Sequence, residues 1–253
     1  MIDQKVLASI NLHAVLRNIE DLVRLCPEAS QFLPDKSLAI RFSVPGLDKL
    51  VLNFSDTTCQ ALRGDDVPYN MNLRFSNPEH LNLMVEGKKN PLPTKGFTHI
   101  GFLKNQFTAL AELLTDYLKP DPERLKTDLE FNHKSTELTA YTAFYALSEI
   151  GNIDAIGKLN AGRIEDGVIN VEVKDGPSLH IIKEKDHLTT VKGKHVNARA
   201  FMYFDSVETA GGILTGALDS YAAIGSGKLA FRGRIPMIDN LNKLLTQVSA
   251  YLA

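Results

Sequence analysis

The sequence has no tryptophan and only two cysteines, Cys26 and Cys59. Two thiols set far apart exclude a disulfide scaffold and fit a reducing compartment. No run of about 18 apolar residues occurs, so no integral membrane segment is expected. The first sixteen residues carry Asp3 early and lack both a basic segment and an apolar one, which argues against a secretory signal. Tyr251-Leu252-Ala253 is not a peroxisomal address. A cytoplasmic location is expected on these grounds. Excess charge of one sign is missing too: the net charge is −2. The basic residues are scattered, and the densest stretch, Lys183–Lys194, is interrupted by Glu184, Asp186 and two histidines. A phosphate backbone needs clustered Lys and Arg, so no nucleic acid partner is expected.

Chemistry-bearing patterns are equally sparse. The seven histidines form no His-Glu-x-x-His pair and no Cys/His cluster. His187 and His195 lie eight apart in a charged stretch that reads as a solvated hairpin. Gly225-Ser226-Gly227 leads into a strand rather than a helix, so it is not a dinucleotide fingerprint, and it is not a nucleophile elbow either. Cys26 precedes Pro27 with no local group to activate it and reads as a buried thiol. No catalytic residue, metal site or cofactor is expected, and the chain is not read as an enzyme.

What is present is a soluble composition, 44% hydrophobic and 23% charged over 253 residues. That is enough for one large domain or two of common size. The spacing of Val15, Leu16, Ile19, Leu22 and Val23 predicts a helix over 11–25, ended by Pro27. Leu38, Ile40 and Phe42 alternate, Pro45-Gly46 turns, and Leu50, Leu52 and Phe54 return. Short strands follow near 57–62 and at Met71, Leu73 and Phe75. Ser76-x-x-Glu79 reads as a capping box for a short helix that stops at Gly87. A strand is expected over 98–103, then a helix with Phe107, Leu110, Leu113, Leu114 and Tyr117 on one face.

The two prolines and mixed charges around Pro120 and Pro122 mark a boundary. Domains are expected at 1–119 and 135–253, with 120–134 as a linker. Beyond it the order repeats. A helix over 135–150 precedes a hairpin with Ile169, Val171 and Val173, a turn at Asp175-Gly176-Pro177, then Leu179 and Ile181. Ala200, Met202 and Phe204 alternate, and Asp205-x-x-Glu208 is a second capping box before a stop at Gly216. Leu50–Gly87 lies over Leu179–Gly216 without a gap. Leu50, Gly64, Val67, Phe75, Glu79 and Gly87 then fall on Leu179, Gly193, Val196, Phe204, Glu208 and Gly216. The coincidence of stop glycines, capping boxes and strands in one register predicts a tandem duplication of an α+β unit.

The second half resembles the sterol carrier protein 2 (SCP2) domain. The matching residues are Phe204-Asp205-Ser206, Gly212-Ile213-Leu214-Thr215-Gly216, Gly227-Lys228-Leu229-Ala230-Phe231-Arg232-Gly233 and Met237, followed by a closing apolar helix. The resemblance covers about residues 168–252, and the first half shares it only through the repeat. In the first half, Thr98-His99-Ile100-Gly101-Phe102 stands in place of the Gly-Lys-Leu strand. The resemblance implies an α+β fold of two similar units, each a roughly five-stranded twisted sheet covered by helices. It also implies an apolar tunnel holding a fatty acid, acyl chain, sterol or isoprenoid, without chemistry.

The candidate lining set is Leu229, Phe231, Ile235, Met237, Leu241, Leu244, Leu245 and Val248, with Ile213 and Phe204. These residues could line a tunnel or fill a core, since interiors are close-packed by default. Met237 adds an adaptable side chain. Lys228, Arg232 and Arg234 are candidate rim cations for an anionic head group, or ordinary solvated residues. The expected partner is a lipid or other apolar small molecule. A different class of reading, an interaction scaffold or accessory subunit with closed cores, predicts no ligand at all.

Overall fold

Strands with apolar residues at alternate positions build a five-stranded sheet in each half of the chain, its helix-facing side chains buried and parts of its other face buried as well, at Val51, Asn72 and Asn170. The structure is a computed structural model that describes residues 2–252, and the chain divides into two units after Asp121. The first sheet holds β1 (Leu38–Ser43), β2 (Leu50–Phe54), β3 (Cys59–Arg63), β4 (Met71–Arg74) and β5 (Leu92–Lys95), in the order β3-β2-β1-β4-β5. The second holds β6 (Gly167–Val173), β7 (Ser178–Glu184), β8 (His187–Lys192), β9 (Ala200–Phe204) and β10 (Leu229–Gly233), in the order β10-β9-β6-β7-β8. In each sheet one pair, β1–β4 or β6–β9, is parallel and the other three are antiparallel. This is the α+β fold of two similar units expected from the sequence.

The pairing repeats in register. Ile40 faces Met71 in the first unit, and Ile169 faces Ala200 in the second. Phe42 faces Leu50 as Val171 faces Leu179, and Leu50 faces Arg63 as Leu179 faces Lys192. Each correspondence keeps the offset that carries Leu50 onto Leu179.

Helices roof the buried faces. In the first unit α1 (Gln4–Ile10) starts where the Asp3 carboxylate accepts from the Lys5 N–H at 2.8 Å. It passes through a π turn and a 3-10 turn into α2 (Ile19–Leu25). The helix expected over 11–25 therefore begins seven residues earlier, because Asp3 supplies the cap. The short α3 (Pro78–Val85) is capped by Asn77, and the matching α-helix of the second unit by Ser206. Each cap falls one residue after the expected Ser76 and Asp205. Asn77 and Ser206 are the residues whose side chains reach the His80 and Thr209 N–H groups, at 2.9 and 3.1 Å.

The expected strand over 98–103 is helical. A 3-10 turn at Phe97–His99, a turn of α-helix, α4 (Ile100–Phe102), and a π turn at Leu103–Phe107 lead into α5 (Thr108–Leu118). Phe102 and Phe107 seat this segment by ring contacts to Phe54 and Phe42 at 5.6 and 5.8 Å. The fifth strand is instead Leu92–Lys95. Pro93 lies within it and cannot donate, which an edge strand with a bulge tolerates. Gly96, at φ +80°, ends it where a Cβ would lie 2.7 Å from the Asn70 carbonyl. Gly233, at φ +81°, ends β10 against the Arg199 carbonyl. Asn70 and Arg199 are equivalent under the repeat, so the two glycines mark the same corner.

The stretch expected as a linker is largely helical: α6 (Pro122–Thr127) and the first turns of α7 (Leu129–Ile153), which the Asp128 carboxylate caps. The helix expected over 135–150 is thus the middle of α7. The second unit continues through α8 (Ala155–Ala161), α9 (Val207–Leu214), α10 (Ser220–Gly225) and α11 (Ile235–Leu252). Among the described residues the first unit has no helix corresponding to α10; α3 passes by a loop to β5.

Candidate functional site: the roof over the edge of the second sheet

Pro236 sits in the first turn of α11, where a missing N–H costs nothing. The helix lays Met237, Ile238, Leu241, Leu244 and Val248 into the core, all buried. It packs on α7, α8, β9 and β10. Its last turn is fastened by the Tyr251 hydroxyl, which donates to the Asp154 carboxylate at 2.9 Å. The same carboxylate caps α8 through the Gly157 N–H at 2.7 Å. The helix α9 is tied to α7 instead. Gly211 lies so close to α7 that a Cβ there would come within 2.5 Å of Thr136 Oγ1.

Coverage fails toward the edge of the sheet. On β9, Met202 and Phe204 are buried. On the edge strand β10, Leu229 faces Phe204 and is buried, but Phe231, which faces Met202, is only half-buried. Ile213 on α9 and Leu245 on α11 are half-buried as well, and Ile235 at the start of α11 is 49% exposed. The lining set therefore divides. Phe204, Leu229, Met237, Leu241, Leu244 and Val248 are core; Phe231, Ile235, Ile213 and Leu245 remain partly wet. Two residues outside the expected set are also exposed, Tyr221 at 82% and Ile224 at 40%, both on α10, which packs on β10. The sequence signal for that helix is Asp219, whose carboxylate accepts from the Ala222 N–H at 2.8 Å.

The candidate rim cations disperse. Lys228 is exposed just before β10. Arg232 alternates onto the opposite sheet face, where its guanidinium lies 5.6 Å from the Tyr203 ring centroid. Arg234 is engaged by Glu165 at 3.1 Å, and Arg199 shares that carboxylate at 3.0 Å.

Two depressions of about 380 and 430 Å³ lie elsewhere, one on each unit. They occupy matching places. Ser43, Val44, Lys49 and Arg74 line the first where Glu172, Val173, Ser178 and Tyr203 line the second. The lining of the second carries the Lys194–Glu172 ion pair at 2.5 Å, and hydrogen bonding to Glu172 pushes the Lys194 ammonium pKa up. Beside it Phe201 and Tyr203 stack at 6.0 Å, and the His180 and His195 rings approach to 5.2 Å. His180 Nδ1 is 2.7 Å from the Gly193 carbonyl, and His195 Nδ1 accepts from the Asn197 N–H at 3.2 Å. The rings are thus held by backbone groups. Among the described residues no three His, Cys, Asp or Glu side chains converge to hold a metal, and no helix is long and apolar enough to cross a membrane.

The two cysteines are buried, and both lie in the first unit. Burial, and then the Glu20 and Asp21 carboxylates, drives the Cys59 thiol far above its ordinary range. Tyr117 is raised in the same direction by burial and by donating to Glu28 at 2.6 Å.

No protein-family model matches the chain, and no curated protein matches it. Among solved structures the chain is similar to sterol carrier protein 2 domains. One is a structure titled "UbiJ-SCP2 Ubiquinone synthesis protein", 19% identical over 41% of this chain and 85% of that one, with a TM-score of 0.34. Another is the sterol carrier protein domain 2 of Helicoverpa armigera, 16% identical over 44% of this chain and 89% of that one, with a TM-score of 0.36. The stereoselective inverting sec-alkylsulfatase Pisa1 from Pseudomonas sp. is also similar, at 15% identity and a TM-score of 0.26, over 59% of this chain and 28% of the enzyme.

Proposed function

We propose that the second unit binds a lipid without transforming it, at the uncovered edge between β10, α9–α10 and the start of α11. The observation that carries this reading is the half-buried Phe231 beside fully buried Met202: the helical roof covers the edge strand at Leu229 and not fully at Phe231. Ile213, Ile235 and Leu245 on α9 and α11 are partly exposed too, and apolar surface left in water favours a cover. A fatty acyl, sterol or isoprenoid chain would supply it, at about 0.8 kcal/mol per buried CH₂. Such binding selects weakly between ligands, because it depends on area. The buried stripe Met237, Leu241, Leu244 and Val248 would form the inner wall, reached by parting α9–α10 from α11. The repeated register is best explained by a tandem duplication, with the first unit no longer serving as a lipid site.

A fluorescent fatty acid titrated into the delipidated full chain tests this reading. The expected result is saturation at one ligand per chain, with binding weakened at least about fivefold by Ile235→Glu or Ile213→Glu, since a buried charge is strongly penalised. Val196→Glu, at a fully solvated loop position, leaves binding unchanged. Absence of binding, or equal binding by every variant, removes the lipid reading. The closed packing beneath α11 favours the second reading in that case, an accessory or scaffold protein with filled cores.

A further inference from the structure

We propose that the first unit carries an anion site on the open face of its sheet, fitted to an oxyanion of the phosphate class. This site lies in the other unit, on the sheet face away from the helices, and does not rest on the lipid reading. Strand alternation creates it. Ile40, Phe42 and Leu73 turn into the core, so Arg41, Ser43, Asn72 and Arg74 turn out, on two parallel neighbours in register. Lys49 at the entry to β2 and Thr94 on β5 complete a depression of about 380 Å³. Among the described residues no carboxylate lines it.

The floor is organised around Asn72, which is only 6% exposed. Its Oδ1 accepts from Arg41 Nε at 2.7 Å and from Ser43 Oγ at 2.8 Å. Its Nδ2 donates to Thr94 Oγ1 at 2.5 Å, which leaves the threonine hydroxyl proton for a ligand. Arg41 is also stacked on Tyr69, its guanidinium carbon 3.5 Å from the ring centroid. One donor and one face of that guanidinium are thereby fixed, and the terminal Nη donors remain. A guanidinium held in advance loses less entropy when it binds. Arg74 has no ion-pair partner among the described residues, and the one carboxylate near Lys49, Asp65 at 3.2 Å, is itself 70% exposed. Arg41 and Arg74, neither with an ion-pair partner among the described residues, repel one another, and a doubly charged oxyanion bridging the two guanidiniums would relieve that repulsion with charge-assisted bonds.

The second unit supplies an internal contrast. Where the first has Arg41, Ser43, Lys49 and Arg74, the repeat places Asn170, Glu172, Ser178 and Tyr203. Glu172 there already neutralises Lys194. The anion site is a property of the first unit alone.

Equilibrium dialysis of the full chain against labelled inorganic phosphate at low ionic strength tests the proposal. A parallel arm measures cosedimentation with vesicles of phosphatidic acid in phosphatidylcholine, against phosphatidylcholine alone. The expected result is binding of at least one probe, weakened about tenfold by Arg74→Gln and by Arg41→Gln. Arg74→Lys restores part of it, and Arg232→Gln in the second unit leaves it intact. Phosphate binding without vesicle binding identifies a free ion or small phosphate ester as the ligand; Arg-dependent vesicle binding identifies a lipid head group. Arg74 is exposed, so Arg74→Gln is expected to keep the native melting temperature. Binding by neither probe, or binding that both glutamine variants retain, overturns the proposal. Ile235→Glu leaves phosphate binding unchanged, which separates this test from that of the lipid site.

Discussion

Both units lay five strands in the same order and register, and they part company at the fifth strand. In the first, β5 holds Pro93, ends at Gly96 and runs directly into the roof helices. In the second, α10 is inserted before β10, and the edge is left with half-buried Phe231 and exposed Tyr221, Ile224 and Ile235. The open sheet faces diverge in the opposite sense. The first collects Arg41, Lys49 and Arg74, whereas the second pairs Lys194 with Glu172, holds Arg232 over the Tyr203 ring and stacks Phe201 on Tyr203. The open face of the first unit thus gathers three cations, of which Lys49 is paired with Asp65, while each unit leaves apolar side chains exposed, Leu92 and Phe97 in the first and Tyr221 and Ile235 in the second. The backbone hydrogen bonds of the sheet do not depend on which outward side chain stands at a register position, so the two faces can diverge while the register holds.

Truncating the roof gives the largest effect. Leu110→Ala in the first unit and Leu241→Ala in the second each remove a fully buried side chain. Each should lower stability by about 2–5 kcal/mol in urea unfolding, read unit by unit through hydrogen exchange. A loss under about 1 kcal/mol at Leu241 alone would mean that α11 is loosely packed. The corner glycines come next. Gly96→Ala and Gly233→Ala force a side chain into the left-handed region and against a backbone carbonyl, and each should cost more than about 1 kcal/mol. Equal losses support the equivalence of the two corners; a neutral Gly96→Ala breaks it.

Alkaline pH separates the units further. The second has no cysteine, while the folded first unit keeps Cys59 protonated well above its ordinary value of 9.0. Above about pH 9 the unfolded thiol ionises and the folded one does not. The stabilising contribution is thus whole below that pH, and stability falls by about 1.4 kcal/mol per pH unit above it. Tyr117 acts with the same sign above pH 10. The melting temperature of the first unit should fall as pH rises above about 9, and Cys59→Ala should flatten its slope between pH 9 and 10. The caps give the smallest effect: Asn77→Ala and Ser206→Ala should each cost about 1 kcal/mol, alike in the two units.

The repeat was legible because its punctuation is local. Glycine stops, alternating strands and helix starts are written in adjacent residues, and they recur in one register. The fifth strand of the first unit was not legible. Pro91 and Pro93 hide Leu92–Lys95, while Thr98, Ile100 and Phe102 alternate as a strand would, and only the Gly96 corner turns them into helix. The start of the chain hid its helix because Asp3 alone carries the cap. At the site, periodicity distinguished the faces of α11 and β10. It could not tell which apolar residues stay uncovered, since that depends on how far α9 and α10 reach over an edge strand. The anion site escaped because its residues, Arg41, Asn72 and Arg74, are outward positions that read singly as ordinary solvated strand residues. Only the parallel β1–β4 pairing brings them together.

Native mass spectrometry of the freshly purified chain, followed by solvent extraction, tests the central claim most directly. The account predicts one lipid mass per chain, extractable by solvent and lost in Ile235→Glu while Arg74→Gln retains it. A bare mass that also refuses added oleate would contradict it and leave the uncovered edge of the second unit without a lipid.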